Sequence, residues 1–168
     1  MIRLLHVVGI LNAAIWFGAA VFFTFGVGPA FFSKDMLALL GRPHAGAAAQ
    51  VVLERYFLLH LICTVVALAH LITEAVYLGR PFWRWTLALL VGILLLNCVG
   101  AYGLQPKLRA LHRTMHGVGT PPQMRAGAGQ SFGLWHGVSQ GFNLAVVAGV
   151  LVHLLRVTQP PEDPGRWR

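Results

Sequence analysis

Four long apolar runs joined by short connections predict an all-α fold, an integral membrane antiparallel four-helix bundle. Composition points the same way. Of 168 residues, 57% are hydrophobic and 11% charged, and the mean hydropathy is +0.67, whereas about a quarter of the residues of a soluble domain carry charge. The runs fall at 4–32, 51–78, 83–104 and 132–157, and each reaches the roughly 20 residues needed to cross about 30 Å of hydrocarbon. The first has neither the basic stretch nor the small-residue cleavage site of a signal peptide, so it is expected to be retained. An even number of spans leaves both termini on one side. With no tandem repeat in the sequence, residues 1–168 are expected to form a single membrane domain.

The connections differ in kind. Residues 33–50 hold a short helix broken by Gly41 and Pro43, and GRPF at 79–82 makes a tight turn. The long polar loop is 105–131. It begins QPKLRALHRTMHG, in which Leu108, Leu111 and Met115 recur every three or four residues, as in a helix lying among lipid headgroups. Its second half, VGTPPQMRAGAGQ, reads as flexible. Trp83, Trp85 and Trp135 stand near span ends as interface anchors.

The net charge of +8 is explained by basic residues flanking apolar spans, where they meet the bilayer and its anionic lipids; nucleic acid is not expected as a partner. Lys and Arg are divided evenly between the two sides, so the orientation is not assigned by charge. Cys63 and Cys98 fall inside spans, which points to neither an external disulfide nor a CxxC site.

The fourth run is where the sequence breaks its own apolar pattern. At 100° per residue, His136, Ser139, Gln140 and Asn143 share an arc of about 100°. An unpaired polar group costs several kcal/mol in hydrocarbon, so this face should look into the bundle. The same run carries Gly133, Gly137, Gly141, Ala145 and Gly149 at intervals of four, a ridge that lets another helix approach closely. On the second run His60, Cys63, Thr64, Ala67, His70 and Glu74 share an arc of about 120°. We therefore expect runs two and four to be neighbours. Helical rise sorts the polar residues into two layers. Thr24, His60, His136 and Ser139 form an interior polar site toward the long-loop side, which Asn143 joins from the level between the layers, with Glu54 and Arg55 as an ion pair at its entrance. His6, Asn12, His70, Glu74 and His153 form a second layer toward the termini, and Asn97 lies between.

WFGAAVFFTFGVGPAFFS (16–33), RYF (55–57), LQPKLR (104–109) and HGVSQGFNL (136–144) together resemble the transmembrane protein 205-like family, a bacterial membrane domain of unknown function. The H-G-x-S-x-x-x-N-L pattern is the most specific piece, placing His136, Gly137, Ser139, Asn143 and Leu144 on family positions; a turn at Pro106 is the second. The resemblance implies a four-helix membrane bundle, here in a bacterial inner membrane, and attaches no reaction to it.

Function classes narrow accordingly. No catalytic triad, phosphate-binding loop, dinucleotide fingerprint or carboxylate cluster is present, so catalysis would require a bound redox centre. His112 and His116 have zinc-ligand spacing, but no glutamate of an HExxH motif lies between them, and they read as solvated. The expected role is a structural or accessory subunit of a membrane complex, with other membrane subunits as partners. The alternative makes His60 and His136 ligands of haem b or a metal, for electron transfer or metal handling. The unequal spacings, ten residues from His60 to His70 and seventeen from His136 to His153, argue against two stacked haems.

Overall fold

The computed structural model describes residues 2–78 and 84–159. It is all-α, with no strand among those residues. Helix α1 (Ile2–Phe22) passes through a π-helical turn (Phe23–Val27) into the short α2 (Gly28–Ala30). Helix α3 (Lys34–Leu78) bends sharply at Gly41. Helix α4 (Arg84–Cys98) runs through a second π-helical turn (Val99–Leu104) into α5 (Gln105–His116), and α6 (Pro122–Val157) is the last helix among the described residues. Four helical segments are long and apolar enough to cross a membrane. The apolar outward residues, among them Ile15, Phe22, Ile62, Leu95 and Leu155, each more than half exposed, would be lipid-facing, and the chain is an integral membrane protein. The expected turn at 79–82 and the anchor Trp83 lie outside the described residues.

Two expectations about the connections change. Pro106 does not turn the chain but sits in the first turn of α5, directly after a π-helical turn. Pro29 repeats this after the other π-helical turn. Proline lacks an N–H and its ring collides with the carbonyl four residues back, here Phe25 and Tyr102. Both carbonyls belong to π-helical turns, whose wider loop lets the helix continue past the ring. The stretch expected to be flexible is helical from Pro122 onward. Pro at the first helical position is pre-set for the helix, and Ala128 is buried, so packing overrides the low propensity of its glycines. Likewise α3 resumes straight after Gly41, whose φ of 68° makes the bend, with Pro43 tolerated in the new first turn.

At 36 residues, α6 is about 54 Å long. The bundle therefore projects well beyond about 30 Å of hydrocarbon. There α5 packs between the projecting parts of α3 and α6: the His112 ring seats directly on Gly46 and lies 6.2 Å from the Phe132 ring.

Around the bundle, α1 and α4 each pack against both α3 and α6. The second and fourth runs are thus diagonal rather than adjacent, and their polar side chains meet across the middle. The core gathers Trp16, Cys63, Ala67, Leu90, Ile93, Val146 and Val150. Trp16 is fully buried, and so are Ala13 and Ala20 on its own helix; alanines leave room for the indole. A similar economy operates at Gly9, where an added Cβ would lie 2.6 Å from His70 Nε2, an atom held 3.0 Å from the Leu5 carbonyl.

Gly9→Ala should therefore destabilise the bundle by about 1–3 kcal/mol, the cost of overpacking a filled site. Gly18→Ala, with nothing within 4 Å of the new Cβ, should be neutral or stabilising. Thermal unfolding of both variants in detergent checks the contrast.

Candidate functional site

A polar assembly ties α1, α3 and α6 together inside the apolar bundle. The Asn143 amide donates to Thr24 Oγ1 at 2.8 Å and its carbonyl oxygen accepts from the Tyr56 hydroxyl at 2.7 Å. Thr24 Oγ1 in turn donates to the Ala20 carbonyl at 2.7 Å. Each group thus finds a partner without water. The Tyr56 ring is stacked on Phe23, with centroids 4.0 Å apart, and leans on the His60 imidazole at 4.1 Å.

One turn deeper, Trp16 Nε1 donates to His60 Nδ1 at 3.0 Å, wholly buried. With Nδ1 accepting, the neutral imidazole carries its proton on Nε2. That Nε2 is buried without a partner, as are Asn97 Nδ2 and His153 Nδ1. The His153 ring lies 6.1 Å from the Trp16 ring, so one indole borders two buried imidazoles.

Toward the end of the bundle that carries Arg156, Asn12 donates to the Cys63 carbonyl at 3.0 Å. His70 is nearly buried, with Nε2 at 3.0 Å from the Leu5 carbonyl and Nδ1 at 4.0 Å from Glu74. Arg156 donates to Thr86 Oγ1 at 3.1 Å. His6 is half-buried nearby in sequence terms, within the first two turns of α1. At the opposite end, Arg109 reaches Glu54 and donates from Nε to Gln50 Oε1 at 3.3 Å. His112 there lies outside the hydrocarbon; its pKa is pushed below the ordinary value, first by desolvation and then by His116.

The sequence-expected residues separate into three environments. Thr24 and Asn143 are directly bonded, and His60 lies beside them through Tyr56. Ser139 is half-buried. His136 is exposed on the outside of α6, its ring parallel to Phe132 at 5.7 Å and its Nε2 3.4 Å from Gln140 Nε2. It is on the same face as Asn143 but about 10 Å farther along the axis, close to the level where α2 ends at Ala30, so α1 offers it no cover. His60 and His136 are therefore not brought together. Glu54 pairs with Arg109 instead of Arg55, which is exposed: adjacent residues on a helix diverge by 100°, whereas α5 packs alongside. Two participants were missed from sequence, Tyr56 and Trp16. Tyr56 carried a signal, standing four residues before His60 on the same face; Trp16 carried none beyond its place in an apolar run.

Among the described residues no three His, Cys, Asp or Glu side chains gather as a metal set. Cys63 and Cys98 are free thiols. A family model described as Domain of unknown function (DUF4149) matches residues 11–117. The chain belongs to the DUF4149 family. No curated protein and no solved structure matches it. The DUF4149 match takes in Asn12, Trp16, Thr24, Tyr56, His60 and Arg109. It ends before α6, so Asn143 and His153, which complete the interior contacts, lie beyond the matched residues, as does the 136–144 pattern.

The Asn143 bridge can be measured directly. In a double-mutant cycle of Tyr56→Phe and Asn143→Ala, unfolding in detergent should return a coupling of about 0.6–1.7 kcal/mol, from the average to the largest value found for interhelical hydrogen bonds in membranes. Strictly additive losses would remove the bond from the account.

Proposed function

We propose that this DUF4149 protein is a structural, accessory subunit of a membrane assembly, an antiparallel four-helix unit of a bacterial inner membrane. The observation that carries the reading is the Asn143 bridge. Its amide both donates and accepts between helices, so the polar interior serves helix register rather than a passing substrate. The antiparallel order is supported by paired contacts that run oppositely along α1 and α3: Leu5 with His70, Asn12 with Cys63 and Trp16 with His60. The likeness of 136–144 to the transmembrane protein 205-like family agrees with a bundle that has no attached reaction.

With the interior committed to the fold, function falls to the outside. On α6, a Cβ added at Gly133, Gly137 or Gly141 would meet nothing within 4 Å. That open ridge, flanked by exposed His136 and Gln140, is the surface on which another subunit would pack.

A second reading is favoured by one atom. His60 Nε2, buried and unpartnered, is the nitrogen that would face haem b or a metal in an electron-transfer or metal-handling protein, and it would have to give up the proton it carries while Nδ1 accepts from Trp16. Because His136 is exposed, this reading rests on His60.

The full chain, extracted from its native membranes in mild detergent, should migrate as a species larger than the monomer. Gly137→Leu should return it to monomer size with an unchanged unfolding midpoint; a monomer from the outset would overturn the accessory role. The second reading is decided by metal content and a reduced-minus-oxidised spectrum. Six-coordinate haem bands or stoichiometric metal, lost in His60→Gln, would establish it, and the absence of both would remove it.

A further inference from the structure

Gln105, Arg109 and Arg113 recur every four residues on α5 and line, with Glu54 of α3, a groove of roughly 320 Å³. Ala101 and Ala110 in the same wall are small enough to leave it open. Its charges do not cancel. Arg109 is neutralised by Glu54 and steadied by Gln50. Arg113 is exposed and has no hydrogen bond or ion pair among the described residues. One uncompensated guanidinium and the remaining donors of Arg109 therefore face the same space, while the buried Gln105 amide is turned to the Gln50 carbonyl at 3.3 Å. A guanidinium fork matches phosphate oxygens in pairs, which makes a phosphate group the fitting anion.

Depth decides where that phosphate comes from. Trp85, 78% exposed, marks the interface at the Arg156 end. About 20 residues of helix cross the hydrocarbon, which brings the other boundary to Gln105, with Arg109 and Arg113 one and two turns beyond. Lys107 Nζ, 3.5 Å over the Trp135 ring, marks the same boundary from the neighbouring helix. Below Glu54 the same face of α3 becomes apolar, with Leu58 and Val65 about half exposed, a track for acyl chains. We propose that the groove binds the phosphate headgroup of an anionic phospholipid, with Arg113 as the principal contact and Arg109 beside it.

The test uses the full chain in detergent, titrated with phosphatidylglycerol or phosphatidylcholine and read by native mass spectrometry. Phosphatidylglycerol should be retained at least about fivefold better. Arg113→Ala should cut that preference roughly fivefold, the contribution of one basic residue at an anionic surface, with no change in unfolding midpoint. Arg42→Ala makes the same charge change at the same end of the bundle but outside the groove, and should leave the preference intact. Equal losses in the two variants would show diffuse surface attraction and overturn the site. So would the absence of any preference for phosphatidylglycerol. Displacement of the lipid by an equal concentration of inorganic phosphate would assign the groove to a free anion and overturn the lipid proposal.

Discussion

Inside hydrocarbon a polar side chain has no water to fall back on, and the bundle is arranged around that requirement at Asn143. Its carboxamide lies where α1, α3 and α6 converge, accepting a hydrogen bond from the Tyr56 hydroxyl and donating one to Thr24 Oγ1. Because α3 and α6 are diagonal, these side chains must span the middle, and the contact sets the axial register of three helices at once. Trp16 extends the arrangement inward by donating to His60. Such bonds are individually modest, and their value lies in excluding the registers in which these groups would go unpaired.

The same requirement explains the irregular helices. A proline within a membrane span frees a backbone carbonyl that water cannot rescue. Pro29 and Pro106 each follow a π-helical turn, so the helix widens instead of breaking. One widened turn contains Thr24, whose hydroxyl thereby both accepts from Asn143 and donates to the Ala20 carbonyl. The other lets α4 run straight into α5, carrying Arg109 and Arg113 out to the headgroup level beside Glu54. Local backbone chemistry and the placement of polar groups are linked at both ends.

Burial is distributed to match. Trp16, Leu90, His60, Val150 and Thr64 are the largest fully buried side chains, polar and apolar together, while large apolar side chains also cover the outside. The outside departs from the habit of soluble proteins, because lipid solvates leucine as well as the interior does. Packing inside is therefore driven by shape and hydrogen bonding, which is why alanines surround Trp16 and glycine meets His70.

Much of this was legible in the sequence because it follows from local chemistry. Run length against bilayer thickness gives four helices, and the cost of bare polar groups sends Thr24, His60 and Asn143 inward. The bend at Gly41 follows from its freedom to adopt positive φ. What only the tertiary structure decided depends on partners distant in sequence. The common arc on α6 placed His136 with Asn143, but burial also depends on which neighbour continues alongside, and α1 with α2 ends near that level. Adjacency in sequence paired Glu54 with Arg55, yet the packing of α5 supplied Arg109. The prolines read as turns because their effect on the preceding backbone depends on whether neighbouring helices hold it helical. A sequence specifies what each side chain requires of its surroundings, and the packed bundle determines which group meets that requirement.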